Sequence, residues 1–326
     1  MRALSRDLAA VLAALGDRAQ AGRALGPLST YRVGGPAACF VEANDEADLL
    51  ALRRALAGRP VPVLVVGKGS NLLVADAGFD GVAVHLGGGW AGIDIGPGPR
   101  LRAGAAAGLP VVARRSVDAG LTGFEWAVGV PGSVGGAVAM NAGGHGSDMA
   151  ACLARYAWLD LASDAGGEDE AGRLALSYRN SALRSSQVVL WAELALAPGD
   201  RENGRAALAE IVRWRREHQP GGSNAGSVFT NPPGDSAGRL VDAAGLAGLR
   251  VGSASVSTKH ANFIQADDGG SADDVYELMG RVRLAVAERF GVTLVPEVRL
   301  VGFDTAGSDT AGSGRLDVAG SEMGER

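Results

Sequence analysis

Apolar residues recur at three- and four-residue spacing in some stretches of this chain and in alternating or continuous runs in others, which predicts mixed helix and strand. Leu4, Leu8, Val11, Leu12 and Leu15 fall on one face of an N-terminal helix over residues 4–15. Cys39 to Glu42 reads as a strand, Asn44 or Asp45 as the cap of a helix through about Ala57, and Val61 to Val66 as a buried β-branched strand. Residues 82–104 alternate apolar and polar positions among glycines, predicting short strands and turns. Leu109-Pro110 opens a helix that Gly120 closes. Tyr156 to Leu161 and Val188 to Leu196 read as strands, and residues 206–217 as a helix. The strongest helical pattern is Ser271 to Phe290: Val275, Leu278, Val282 and Val286 form its apolar face, Ser271 with Asp274 resembles a capping box, and Gly291 is the stop. Thr293 to Leu300 is the last expected strand.

Two breaks in composition set the expected domain organisation. Gln219 to Ser223 is rich in Pro, Gly and Ser and reads as a hinge. After Phe303 the sequence DTAGS occurs twice in tandem amid Gly, Ser and acidic residues, so a disordered tail is expected over 303–326.

Composition narrows the function classes. The chain has 326 residues and a net charge of -5, which argues for two or three domains and against a nucleic-acid or membrane-surface partner. Its Arg6, Asp7, Asp17 and Arg18 interrupt the N-terminal apolar residues, and no apolar run reaches membrane-spanning length, so no membrane insertion is expected. Cys39 and Cys152 lie 113 residues apart without a CxxC, and His85, His145, His218 and His260 are scattered. Neither a disulfide framework nor a metal site is expected, and the reading is of a reduced, cytoplasmic protein. The sequence leaves the oligomeric state open, a monomer included.

Glycine changes the picture. Residues 123–146, GFEWAVGVPGSVGGAVAMNAGGHG, hold eight of the chain's 50 glycines, and Glu125 is the segment's one charged side chain. Glycine accepts positive φ and lets backbone amides converge on an anion, so the stretch reads either as a phosphate cradle, helped by a helix N-terminus near Ser133, or as a set of tight turns. Gly67-Lys68-Gly69-Ser70-Asn71, directly after a strand, is a second candidate cradle about sixty residues earlier. Two cradles suit a ligand with two phosphates, such as a flavin dinucleotide. Gly87-Gly88-Gly89-Trp90-Ala91-Gly92 satisfies G-x-G-x-x-G, but no helix starts within it and position 112 is Val rather than an acid, so turns are expected there. The 67–70 loop likewise lacks P-loop spacing.

Seven segments in order carry a resemblance to a known family: Thr30 to Gly35, Gly67 to Val74, Gly129 to Gly136 continuing through Met140 to Gly143, Tyr178 to Ser181, Gly226 to Pro232, Ser257 to Ala261, and Pro296 to Arg299. Over about residues 25–302 the chain resembles the UDP-N-acetylenolpyruvoylglucosamine reductases, the MurB enzymes of peptidoglycan precursor synthesis.

That resemblance implies an α+β fold: a two-subdomain FAD-binding domain of the vanillyl-alcohol oxidase (PCMH) type over 25–200, split near residues 85 and 86, then a smaller α+β substrate domain over 205–302. It implies non-covalent FAD, NADPH as electron donor, and UDP-N-acetylglucosamine enolpyruvate as the small-molecule substrate, reduced to UDP-N-acetylmuramate. The catalytic positions map to Arg179, Ser227 and Glu297. Arg179 would bind and polarise the substrate carboxylate, Ser227 would donate a proton, and Glu297 would be protonated or act through a bridging group. Cofactor contacts map to Arg32, Gly67, Gly69, Ser70, Asn71, Gly129, Pro131, Gly132, Ser133, Gly135, Gly136, Asn141 and Gly143. Substrate contacts map to Tyr178, Arg215, Asn231 and Lys259.

Taken singly, a serine in a Gly-Ser turn, an arginine beside a tyrosine and a glutamate after proline are ordinary structural residues; their order with the other motifs ties them to one reaction. Two departures stand out. Position 230 is Thr where many relatives have Lys, and only 48 residues separate Arg179 from Ser227, which resembles the shorter subclass without a tyrosine-bearing loop insertion. The rival readings are an FAD-dependent alcohol oxidase of the same fold and a non-catalytic flavin-binding protein.

Overall fold

Side-chain caps set the helix starts in the computed structural model, which describes residues 4–303. Ser5 Oγ accepts the Leu8 N–H at the head of α1 (Arg6–Leu15), and Asp45 accepts the Asp48 N–H at the head of α2 (Glu46–Leu56). Pro110 occupies the first turn of α3 (Leu109–Asp118), where its missing N–H costs nothing. Ser133 caps the seven-residue α4 (Val134–Met140), and Asp200 caps α5 (Arg201–His218), which starts earlier than residues 206–217.

The chain divides into two compact units, and neither is contiguous. The first takes the residues up to Ala24, Pro36–Ser70 and Phe79–Gln219; the second takes Leu25–Gly35, Asn71–Gly78 and the chain from Pro220. The boundaries expected at 25–200 and 205–302 are therefore interrupted by two short excursions. The later crossing falls between Gln219 and Pro220, inside the expected hinge.

Beside two short two-stranded pairings, two larger sheets build the first unit. In one, Pro36–Ala43 lies between antiparallel Ala19–Ala24 and parallel Phe79–Leu86, with Val63–Val66 parallel to the latter at the far edge. The other is antiparallel throughout, ordered Gly166–Glu170, Leu153–Asp160, Gln187–Ala195, Arg100–Gly104, Ile93–Ile95. One apolar core joins them, including Leu49 and Val84 from the first side and Leu101, Val112, Phe124 and Leu194 from the other. Gly88–Trp90 is a single 3₁₀ turn, as expected for the G-x-G-x-x-G match.

In the second unit α7 (Ala272–Phe290) packs on a three-stranded antiparallel sheet of Arg250–Val251, Ala254–Val256 and Ile264–Ala266. Its Val275, Leu278, Met279, Val282 and Val286 meet Leu240 and Val241 of α6 (Ala237–Ala243) in the core.

Three expectations are corrected here. Asp274 does not close a capping box: Ser271 Oγ accepts the Asp274 N–H at 3.1 Å, but the Asp274 carboxylate turns to the Ser253 N–H and hydroxyl, both at 2.7 Å. The final strand is shorter than residues 293–300. It covers Arg299–Val301, parallel to Leu72–Val74, because Pro296 has no N–H for a ladder. The ordered fold also includes Phe303, which stacks on Tyr276 with ring centroids 4.3 Å apart. The rest of the expected tail, 304–326, lies outside the described residues.

Candidate functional site

Both glycine cradles, apart from Asn71 at the end of the earlier one, lie in the first unit, and the fold brings them together. A Cβ on Gly67 would stand 2.5 Å from Ser133 Oγ, and one on Gly132 would stand 3.4 Å from Ser70 Oγ. The two loops thus approach each other closely only because side chains are missing.

They are not equivalent as anion sites. The first-turn amides of α4 are already used: Val134 N–H donates to Ala107 O at 2.9 Å, Gly135 N–H to Ala105 O at 2.9 Å, and Gly136 N–H to Ser133 Oγ at 3.4 Å. In the approach to the helix, Val130 N–H donates to Ala127 O and Gly132 N–H to Val130 O. The expectation that a helix N-terminus near Ser133 receives the anion is corrected accordingly, since its orphan donors are closed by the 105–107 loop. Gly69, at φ 59, supplies a left-handed turn in the other loop, with Lys68 exposed beside it. A glycine-built loop of this kind fits a diphosphate.

Ile211, His145 and Arg215 crowd Gly129, whose Cβ would lie 3.0, 3.1 and 3.2 Å from them. Arg215 is thereby drawn against the glycine-rich segment, and its Nε donates to Gln219 at 2.7 Å. Burial lowers the Arg215 pKa, while burial and the Arg215 charge lower that of His145. The His145 ring meets Trp214 edge-on at 5.1 Å, and Trp214 stacks on His218 at 4.7 Å.

Arg179 stands at the tip of a tight hairpin. Ser177 and Asn180 exchange backbone hydrogen bonds of 3.1 Å each, leaving Tyr178 61% exposed and Arg179 at φ 56, a left-handed conformation that costs a non-glycine residue energy. Arg179 donates to the Gly143 carbonyl at 3.1 Å and its guanidinium carbon lies 5.5 Å from the Tyr178 ring centre. Asn141, expected among the cofactor contacts, is 3% exposed, and its carboxamide bonds Ser177, Asp148 and Ala150.

Ser227 and Glu297 belong to the second unit. Ser227 follows Gly226, whose φ of 77 turns the chain into a buried Val228-Phe229 pair. Glu297 N–H donates to Val228 O at 2.7 Å, and Thr230 N–H to Val295 O at 2.9 Å. These bonds set Glu297 beside the serine segment although 70 positions separate the two residues. Asn71 also serves this arrangement, its Nδ2 donating to the Glu297 carbonyl at 3.0 Å.

Of the other expected contacts, Asn231 Oδ1 accepts the Ala237 N–H at 3.0 Å and so helps cap α6. Lys259 is exposed on a turn held by Ser257 Oγ, which accepts its N–H at 3.1 Å. Arg32, at φ 58, lines a polar cleft of about 510 Å³ in the second unit with Ser255, Gln265 and Asp268.

Residues 37–168 match the FAD binding domain model, and residues 218–301 match the C-terminal domain of UDP-N-acetylenolpyruvoylglucosamine reductase. The UDP-N-acetylenolpyruvoylglucosamine reductase of Heliobacterium modesticaldum is 42% identical over 298 residues, covering 89% of this chain and 92% of the relative. That of Rubrobacter xylanophilus is 42% identical over 280 residues, covering 84% and 92%. The chain belongs to the UDP-N-acetylenolpyruvoylglucosamine reductase family.

A crystal structure of the reductase (MurB) from Thermus caldophilus superposes with a TM-score of 0.74 at 35% identity, covering 87% of this chain and 98% of that one. Membership fixes the fold as the α+β, PCMH-type FAD-binding architecture and makes the chain an FAD-dependent oxidoreductase of peptidoglycan synthesis. Among the described residues, no helix is long and apolar enough to cross a membrane, and no group of His, Cys, Asp or Glu could hold a metal.

The family motifs missed one residue that the fold makes central. Asn262, 3% exposed, accepts Val228 N–H at its carbonyl, accepts Phe229 N–H at Oδ1 and donates from Nδ2 to Phe229 O. It follows directly on the Ser257 to Ala261 motif, and that adjacency was the available signal.

Proposed function

We propose that this reductase takes electrons from NADPH and converts UDP-N-acetylglucosamine enolpyruvate to UDP-N-acetylmuramate. FAD, when bound, would supply the hydride for the terminal vinyl carbon of the substrate. The remaining work falls to the chain. The 67–70 loop, with Gly129 to Ser133 packed against it, holds the flavin diphosphate through backbone amides.

Arg179 binds the substrate carboxylate with its planar, permanently charged fork and stabilises the negative charge that develops as hydride arrives. Ser227 O–H delivers the proton to the adjacent carbon. A hydroxyl is a feeble acid in water, but an enolate is basic enough to take its proton. An ionised Glu297 next to that charge would oppose it, so the carboxyl is protonated or acts through an intervening group. Tyr178, Arg215, Asn231 and Lys259 are assigned to the UDP-sugar, and a cytoplasmic location belongs to the same reading.

The observation that best supports this assignment is the 2.7 Å bond from Glu297 N–H to Val228 O, which pairs the serine and glutamate segments. Ser227→Ala tests it under anaerobic conditions. The variant should bind FAD and be bleached by NADPH at the normal rate, yet fail to be reoxidised by the enolpyruvyl sugar. Normal reoxidation sinks the proton-donor assignment, and a flavin colour that survives denaturation favours the alcohol-oxidase reading.

A further inference from the structure

Three contacts fasten the Tyr178–Arg179 hairpin to one short stretch of chain at the end of α4. Ser181 Oγ donates to Ala139 O at 2.7 Å, Asn141 Nδ2 donates to Ser177 O at 3.0 Å, and Arg179 donates to Gly143 O at 3.1 Å. The middle contact is the one made by a buried side chain. Asn141 ends α4 in a left-handed conformation at φ 42, ψ 55, which asparagine tolerates better than most residues.

Every hydrogen-bonding direction used by the Asn141 carboxamide is structural. One Nδ2 hydrogen goes to Ser177 O and the other to Asp148 Oδ2 at 3.2 Å, while Oδ1 accepts the Ala150 N–H at 2.9 Å. An amide has two donors, and both are taken. Ser177 is itself paired with Asn180 across the hairpin, so holding its carbonyl fixes the turn in which Arg179 keeps its positive φ. A non-glycine residue stays in that region only where its surroundings over-determine it.

We propose that Asn141 is a positioning residue for Arg179: through the Ser177 carbonyl it sets the hairpin that aims the guanidinium, and it does not itself contact the flavin. The proposal rests on the reading of Arg179 as the group that binds the substrate carboxylate. Because the NADPH step does not need that carboxylate, Asn141 matters for substrate reduction and not for flavin reduction.

The test is a double-mutant cycle on the full-length holoenzyme, with Asn141→Ala, Arg179→Ala and the pair. Flavin content, the rate of bleaching by NADPH and the rate of reoxidation by the enolpyruvyl sugar are read for each. In Asn141→Ala, flavin content and bleaching should stay near wild type, while reoxidation slows by about tenfold or more, as misplacement of a catalytic group implies. The double variant should be no slower than Arg179→Ala, because a residue that acts only through Arg179 has nothing left to position. Asn141→Asp guards against a folding artefact. It keeps the volume and the acceptor for Ala150 N–H but sets an oxygen against both Ser177 O and Asp148 Oδ2, so a thermal unfolding curve is read first, and below its transition the variant should reproduce the loss.

Loss of flavin or of the NADPH step in Asn141→Ala, below its unfolding transition, overturns the proposal in favour of a cofactor contact. Multiplying losses in the double variant, or normal reoxidation in both Asn141 variants, also overturns it. If Arg179→Ala itself is reoxidised at the wild-type rate, the assigned role of Arg179 fails first and the positioning role falls with it.

Discussion

Glu297 and Val228 are joined by a backbone hydrogen bond of 2.7 Å, and the residue before Val228 is Ser227. Val228 itself is fully buried, so the bond fixes the serine segment from below while Ser227 remains half-exposed. The other clamp on this segment is Asn262, which takes both backbone polar groups of Phe229 at 3.0 and 2.8 Å.

Asn262→Ala should therefore damage stability and chemistry together. It orphans two buried main-chain groups, each worth about 1–3 kcal/mol when left unpaired. Urea unfolding should show the stability loss. At a temperature where the variant stays folded, reoxidation by the enolpyruvyl sugar should slow while reduction by NADPH does not. A normal reoxidation rate would mean that the clamp does not govern the position of Ser227.

Two glycine-to-alanine changes should part company. A Cβ on Gly135 would stand 2.9 Å from Ala105 Cβ and 3.3 Å from Ala105 O, so α4 must shift away from the loop that closes its amides. Gly88 has no atom within 4 Å of a Cβ. Gly135→Ala should lower flavin content and thermal stability. Gly88→Ala should stay within about 0.5 kcal/mol of wild type, as surface changes usually do. Equal flavin loading in both would contradict the close-approach role of Gly135.

Asp160 is 1% exposed and pairs with Arg184. Burial pushes its pKa up, but the Ala162 N–H, the Ser186 hydroxyl, the Arg184 guanidinium and Ser163 together bring it below the ordinary 3.8. A depressed folded value means that the stabilisation is complete above pH 3.8 and disappears as pH falls through the lower folded value. Asp160→Asn should thus cost about 1–3 kcal/mol near neutral pH, and the gap to wild type should narrow in acid. A gap independent of pH would show that the charge plays no part.

The two cysteines should be inert in the native protein. Cys39 and Cys152 are 0% and 4% exposed, and burial pushes their thiols up to about 11 and about 12. Thiolate is the reactive form. A disulfide reagent should label neither in native protein and both in denaturant, and rapid native labelling of either would contradict the burial.

Much of the fold was readable locally. Asp45, Ser133 and Ser271 each cap the helix that their position in the sequence announced, because a cap depends on a side chain and an N–H three residues away. The reading failed where a donor chose a distant partner. Asp274 prefers Ser253 to its own helix start, and the first-turn amides of α4 turn to Ala105 and Ala107 instead of an anion. Local spacing cannot rank such competitors.

The sequence by itself determined the family and the reaction class, and it singled out Arg179, Ser227 and Glu297 as the residues proposed to carry the chemistry, because residue types at fixed positions within short motifs are a one-dimensional property. The tertiary structure decided how those residues are held: Glu297 against Val228, Arg179 on a hairpin tied to Asn141, and two glycine loops face to face. Those partners are separated by tens of positions in all three cases. Which buried donor meets which acceptor is settled by long-range packing, where every polar group must be satisfied at once.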